Sequence, residues 1–370
     1  MSAVPLPRRG PRGPHRLRLA PGRLAPRTAL LLGVVLVLLA LVWAATRGAY
    51  AIAPAQLVHM LGQMLLQALG LAPAAEPAPE YLVFMNIRLP RLCMGVAAGA
   101  GLGLAGALMQ GLFRNPLADP GLVGVSSGAA LAAAATIVLG SHWLPDMPRT
   151  LGSWALVTTA FGGGLLVTAL IYALAQADGG TRMGLMLLAG VAVNALALAG
   201  LGYLNFISTD EQLRNLQMWL LGSLGGARWS AVLLVSGVVA AACAMGLALA
   251  RPLNAIALGE AQAALLGVPV ERTKRLAVLV TALAVGAVTA ATGIIGFIGL
   301  VAPHCVRLVA GPDHRVVLPG SALLGAALVL VADGVARTIV QPAELPLGVL
   351  TAFIGVPLFL AMLRQFRSKV

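Results

Sequence analysis

The sequence predicts an all-α polytopic membrane protein, with about ten transmembrane helices and short interfacial helices. Of its 370 residues, 59% are hydrophobic and only 10% charged, against roughly 25% charged in a soluble domain. With a mean hydropathy of +0.92, too little polar surface remains for a wetted exterior. The apolar residues form continuous runs of about twenty, the length a helix needs to cross a bilayer. Membrane β-barrels instead show alternating segments of about ten.

Residues 1–27 carry seven arginines among prolines and glycines, a composition that cannot bury a core and predicts a disordered basic arm. The membrane domain is expected over 28–370. Its first span runs from Thr28 to Ala45, too long for a signal-peptide core and without a small-x-small cleavage site. A mixed segment rich in Ala, Pro and Glu follows, up to Arg91. Apolar runs then recur at 92–112, 122–140, 151–174, 184–205, 229–250, 275–297, 300–310, 317–336 and 348–363. The run at 300–310 is interrupted by Pro303, His304 and Arg307, and is short for a crossing. Arg91-Leu92 and Arg275-Leu276 each open a Gly/Ala-rich span followed by a Pro- and Asp-containing loop. Their starts lie an odd number of spans apart, which suggests inverted repeats.

Charge orients the chain. With both termini cytoplasmic, inner segments hold 18 of the 25 Lys and Arg, the asymmetry of the positive-inside rule. Topology therefore accounts for the net charge of +13 without nucleic acid. The loop 251–275 is cytoplasmic in this arrangement. In it Leu258, Ala261, Leu265 and Leu266 fall at helical spacing, Gly267 ends the helix and Pro269 can start another. An apolar face there needs cover, either lipid or the groove of a soluble partner. Arg88 and Arg91 defy the trend at the outer end of the second span. Pro90 discourages helix at Leu89, which places both arginines at a helix entrance. With Arg337 they offer fixed cations to an acidic visitor or to lipid headgroups.

Several chemistries find no support. Gly101-x-Gly103-x-x-Gly106 matches a dinucleotide fingerprint but lies inside an apolar helix, where small residues let backbones approach. No phosphate-binding P-loop occurs, and the two lysines are Lys274 and Lys369. Cys93, Cys243 and Cys305 form no CxxC pair, so no metal or disulfide signal arises. Asp333 is the clear carboxylate within a span; Arg337, four residues on, can pair with it on one helix face. That shortage of acids weighs against an ion-coupled secondary transporter. A non-transporting membrane scaffold that binds a partner through 251–275 is a third reading.

Four stretches carry a family resemblance: R-L-P-R (88–91), G-L-F-R-N-P-L-A-D-P-G-L-V-G-V-S-S-G-A (111–129), L-G-E-A-Q-A-A-L-L-G-V (258–268) and P-A-E-L-P-L-G-V-L-T-A-F-I-G-V-P-L-F (342–359). In order from Arg88 to the carboxyl end, the chain resembles the permease subunits of iron-chelate, heme and cobalamin ABC importers, with wording most like heme permeases. The resemblance implies a non-catalytic inner-membrane subunit that acts as a homodimer. Two cytoplasmic ATPase subunits would bind the ATP and Mg, and a periplasmic binding protein would deliver heme or another chelate, with ferric siderophore or cobalamin as the alternatives. It also implies residue roles. Arg88, Arg91 and Arg337 would dock the binding protein. Leu258, Gly259, Glu260, Ala261, Leu265, Gly267 and Pro269 would couple to the ATPase. Asn115, Leu117 and Thr181 would form an inner gate, and Asn194 would line the path. His304 and Cys305 are read as packing residues, not heme ligands.

Overall fold

The computed structural model describes residues 23–48, 53–70, 79–143, 154–177, 179–340 and 343–367; most of the arm predicted at 1–27 lies outside them. The molecule is a helical bundle. Seven described helices are long and apolar enough to cross a membrane: α1 (Pro26–Thr46), α3 (Pro79–Leu112), α5 (Trp154–Leu174), α6 (Met183–Ile207), α8 (Trp229–Ala248), α11 (Val270–Thr292) and α13 (His314–Ile339). Shorter apolar helices are α4 (Val125–Trp143), α12 (Ile298–Ala310) and α14 (Leu347–Arg367). These ten overlap the ten predicted runs.

Among the described residues four further α-helices connect them: α2 (Pro54–Ala68), α7 (Asp210–Leu220), α9 (Ala250–Ile256) and α10 (Glu260–Leu265). Two of these carried no expectation. The amphipathic α2 lies in the segment read as mixed, and α7 follows a capping box. In that box the Thr209 hydroxyl accepts from the Gln212 N–H at 3.3 Å and the Gln212 side chain accepts from the Thr209 N–H at 3.0 Å, the reciprocal arrangement that satisfies two orphan donors.

The bundle is built around α3, which packs on α8, α11, α12 and α13. Its glycines make this possible. A Cβ on Gly99 would lie 2.2 Å from the Gly325 carbonyl oxygen, one on Gly103 2.1 Å from that of Ser321, and one on Gly106 1.7 Å from that of Gly299. The backbones touch directly, so the Gly101–Gly106 motif is a packing seam.

Pro90 acts differently from expectation. Helix continues through Leu89, whose φ and ψ are −64° and −45°, and extends upstream to Pro79. A π-turn over Phe84–Arg88 precedes the proline; its widened turn relieves the clash that a proline ring makes with the carbonyl four residues back. Arg88 and Arg91 therefore lie within a helix, not at its entrance. The span expected at 275–297 is displaced to Val270–Thr292, because helix starts directly after Pro269 and stops at Gly293, where φ is +73°. Non-helical backbone from Gly293 to Phe297 leads into α12. At 13 residues that helix is about 20 Å long, short of the roughly 30 Å hydrocarbon core.

Candidate functional site

At one end of the bundle the three expected arginines converge. Arg91 donates to both oxygens of Asp333, from Nε at 2.9 and 3.2 Å and from Nη2 at 2.8 Å. It also forks onto Glu344, with both contacts at 2.9 Å. Asp333 takes Arg337 Nε on its other side at 3.0 Å. Arg337 further donates to the carbonyls of Arg47 and Ala44 at 2.9 and 3.1 Å, and Arg88 donates to that of Ala45 at 2.7 Å. The last carbonyls of α1, which helix geometry leaves without intrahelical donors, are thus capped by guanidiniums from α3 and α13. All three arginines are buried, at 5 to 8% exposure. Glu344 is the half-exposed member of the group.

At the opposite end, the chain between α8 and α11 forms a rigid plate. α9 is followed by a break at Gly259, whose φ of +120° is a conformation L side chains rarely adopt, and where a Cβ would strike the Gln262 side chain. Helix α10 then runs to Leu265, Gly267 turns the chain with φ +79°, and exposed Pro269 precedes α11. Leu258 precedes the break instead of sharing a helix with Leu265. Both still face outward, and Leu258, Leu265 and Leu266 are 67, 89 and 66% exposed. Ala261 is exposed beside them.

Beneath the plate lies a hub that sequence reasoning missed. Lys274 is 2% exposed. Its ammonium donates to Glu260 of α10 at 2.6 Å, to Glu271 at 2.9 Å and to the Thr181 carbonyl at 2.8 Å. Glu271 in turn accepts from the Thr181 N–H at 2.9 Å and its hydroxyl at 2.8 Å. Tyr172 and Gln176 also reach that hydroxyl, at 2.9 and 3.0 Å. Thr181 sits in a two-stranded hairpin, Gln176–Ala177 against Gly180–Thr181, that joins α5 to α6. Every hydrogen-bonding position of the ammonium is occupied, as a buried charge requires. The available signal was the Glu271–Lys274 spacing in a chain with two lysines.

The other expected path residues lie along the α3–α4 connection. Asn115 is exposed, and its side chain accepts from the Leu117 N–H at 3.0 Å, an Asx-turn. Asn194 of α6 accepts from the Ser127 hydroxyl at 2.5 Å and donates to the Gly121 carbonyl at 3.3 Å, tying α6 to this segment. Asp119 caps the turn at Pro120–Val123 by accepting from Gly121 at 2.7 Å; burial raises its carboxyl above the ordinary range. Asp313, between α12 and α13, goes the other way. Burial opposes ionisation, but the Arg315 N–H, the Asn254 amide and the Arg315 charge outweigh it and hold the carboxyl low. Thr181 therefore belongs to the lysine hub, while Asn115 and Leu117 lie in the α3–α4 segment and Asn194 reaches that region from α6. His304 is buried in α12, and Cys305 lines an apolar groove beside α1.

Residues 33–365 match the model of the FecCD transport family. Over 348 residues the chain is 42% identical to the hemin transport system permease protein HmuU of Yersinia pestis, covering 94% of this chain and 98% of that one. It is 43% identical over 296 residues to the cobalamin import system permease protein BtuC of Halobacterium salinarum, covering 80% and 77%. Among solved structures it is similar to a metal-chelate type ABC transporter in an inward-facing conformation. The TM-score is 0.78 at 29% identity, with coverage of 92% of this chain and 99% of the other.

Proposed function

Because the chain belongs to the FecCD transport family, we propose that it is the permease subunit of an ATP-driven importer that carries a metal chelate across the bacterial inner membrane. The observation that carries this reading is the leucine plate. A surface with Leu265 at 89% exposure, held on a rigid loop by a buried lysine, is costly in water unless a soluble partner covers it. The partner that fits is a pair of cytoplasmic ATPase subunits, one on each copy of a homodimer, which bind the nucleotide this chain has no P-loop to hold. ATP-driven closure of those subunits moves the plate, and the plate's attachment to the α5–α6 hairpin carries the motion toward Asn115, Leu117 and Asn194.

Heme is the preferred cargo. The Yersinia relative is a hemin permease and aligns over nearly its whole length; the Halobacterium relative, a cobalamin permease, keeps that chelate and ferric siderophore as alternatives. The Arg88, Arg91 and Arg337 rim is the proposed docking place of the periplasmic binding protein. Supporting this, Glu344 already rests on Arg91 from the solvent side, which marks a face where a carboxylate reaches the cluster. Against an ion-coupled carrier stands Asp333, committed to two arginines.

The deciding experiment reconstitutes the permease with its ATPase and binding protein in vesicles and measures uptake of heme, cobalamin and a ferric siderophore. ATP-dependent uptake of heme is expected. Passage of another chelate with heme excluded defeats the cargo assignment, and uptake by the permease alone under an ion gradient defeats the whole reading.

A further inference from the structure

Helices α1, α12, α13 and α14 enclose an apolar groove of about 450 Å³, lined by Leu24, by α1 between Ala29 and Leu36, by α12 between Val301 and Ala310, by α13 between Val316 and Leu328, and by Leu358 of α14. It opens on the outer surface of the bundle, since Leu32 and Leu36 line it while remaining half exposed.

Its length is set by the helices. The lining positions on α13 run from Val316 to Leu328, about 18 Å at 1.5 Å per residue. One leaflet contributes about half of the roughly 30 Å hydrocarbon core, and Leu36 is the central residue of α1. The groove therefore runs from one membrane surface to the midplane. An apolar cleft of this length, open along one side, suits an extended polymethylene chain.

The surface end is cationic. Arg23 and Arg27 flank Leu24, and Arg315 precedes Val316; all three are exposed. The Leu24 N–H donates to the Val309 carbonyl at 3.0 Å, fixing this segment across the end of α12. The Arg23 guanidinium lies over Gly311, 3.5 Å from where a Cβ would sit. We propose that the groove holds one acyl chain of an anionic phospholipid, with the headgroup phosphate on the Arg23, Arg27 and Arg315 cations. This site is independent of the cargo and partners assigned above.

The test reconstitutes the full chain in phosphatidylcholine vesicles doped with phosphatidylglycerol that carries a mid-chain diazirine. After illumination, peptide mapping is expected to place the label on 24–36, 301–310 and 316–328. A phosphatidylcholine probe with the same chain should label these peptides at least about fivefold less, the factor that even one surface cation contributes. Arg23→Gln with Arg27→Gln and Arg315→Gln should abolish that preference. Ala29→Trp should block the groove to both probes; Val309→Phe, from the opposite wall, repeats the blockade should the first variant fold poorly. Label spread evenly over the exposed face of α8, or groove peptides left unlabelled, would each overturn the proposal.

Discussion

Arg91 and Asp333, 242 residues apart in sequence, meet at 2.8 Å with both side chains nearly excluded from solvent. Each is the other's desolvation partner, and Asp333 also holds Arg337. Removing one member of a buried pair leaves an uncompensated charge, which costs about 3–5 kcal/mol. Asp333→Asn strips Arg337 of its carboxylate and should lower the thermal midpoint of the detergent-purified protein by up to that equivalent, whereas Arg91→Met leaves Asp333 on Arg337 and should cost less. Wild-type midpoints in both would show that the pair contributes nothing to the fold.

Glu344 is the exposed partner of the same arginine, and surface ion pairs contribute little, about 0–1 kcal/mol. Glu344→Gln should therefore leave stability within about 1 kcal/mol of wild type. If an acidic partner docks on Arg91, removing the internal competitor should tighten capture of the loaded binding protein severalfold. Surface plasmon resonance with immobilised permease measures this, and unchanged affinity argues for another docking place.

Leu265 is the most exposed leucine of the plate. Leu265→Asp puts a charge where a dry contact is proposed and should weaken ATPase co-purification at least tenfold, about 1.4 kcal/mol. Folding should be untouched, because no packing is lost. An ATPase that still binds normally would remove the plate from the interface.

Lys274 joins α10 to the hairpin at Thr181. Lys274→Met should retain ATPase binding yet loosen the hairpin, which Glu271 still holds through the Thr181 amide and hydroxyl, raising hydrogen exchange at the Thr181 amide modestly and the ATP consumed per cargo imported. Lys274→Arg, which keeps the charge, should recover part of both. If exchange and stoichiometry stay at wild-type values, the lysine does not transmit motion.

Gly103 and Gly237 form an internal control. A Cβ on Gly103 meets the Ser321 carbonyl oxygen at 2.1 Å, whereas one on Gly237 meets nothing within 4 Å. Gly103→Ala should cost about 1–3 kcal/mol by overpacking, while Gly237→Ala should be neutral or favourable by helix propensity. Thermal unfolding of the pair checks both signs.

The ten spans were legible because apolar runs of bilayer length have few other physical explanations. Loop chemistry was partly legible. Gly267 and Pro269 announced a turn and a new helix, and Asp333–Arg337 announced a pair by spacing alone. The hub around Lys274 was not legible, because its partners Glu260, Glu271 and Thr181 come from three elements and only folding assembles them. Pro90 misled because a π-turn can absorb a proline, a tertiary accommodation that a local rule does not contain. The burial of Arg88 and Arg337 was hidden for a related reason: they reach carbonyls at the end of α1, and backbone acceptors leave no trace in side-chain identity.

Between Gly99–Gly103 of α3 and Ser321–Gly325 of α13 the contact is backbone on backbone, with no side chains to act as bearings. With carbonyls lodged where Cβ atoms would be, neither helix can slide by one residue without collision, so the two form a keel. Whatever cycle this protein runs, its hinges must lie elsewhere, in the glycine-broken stretch before α12 and in the connections that flank α6. Labels placed on α3 and α13 should keep a constant separation through every state, which makes that pair the natural reference frame for measuring how the rest moves.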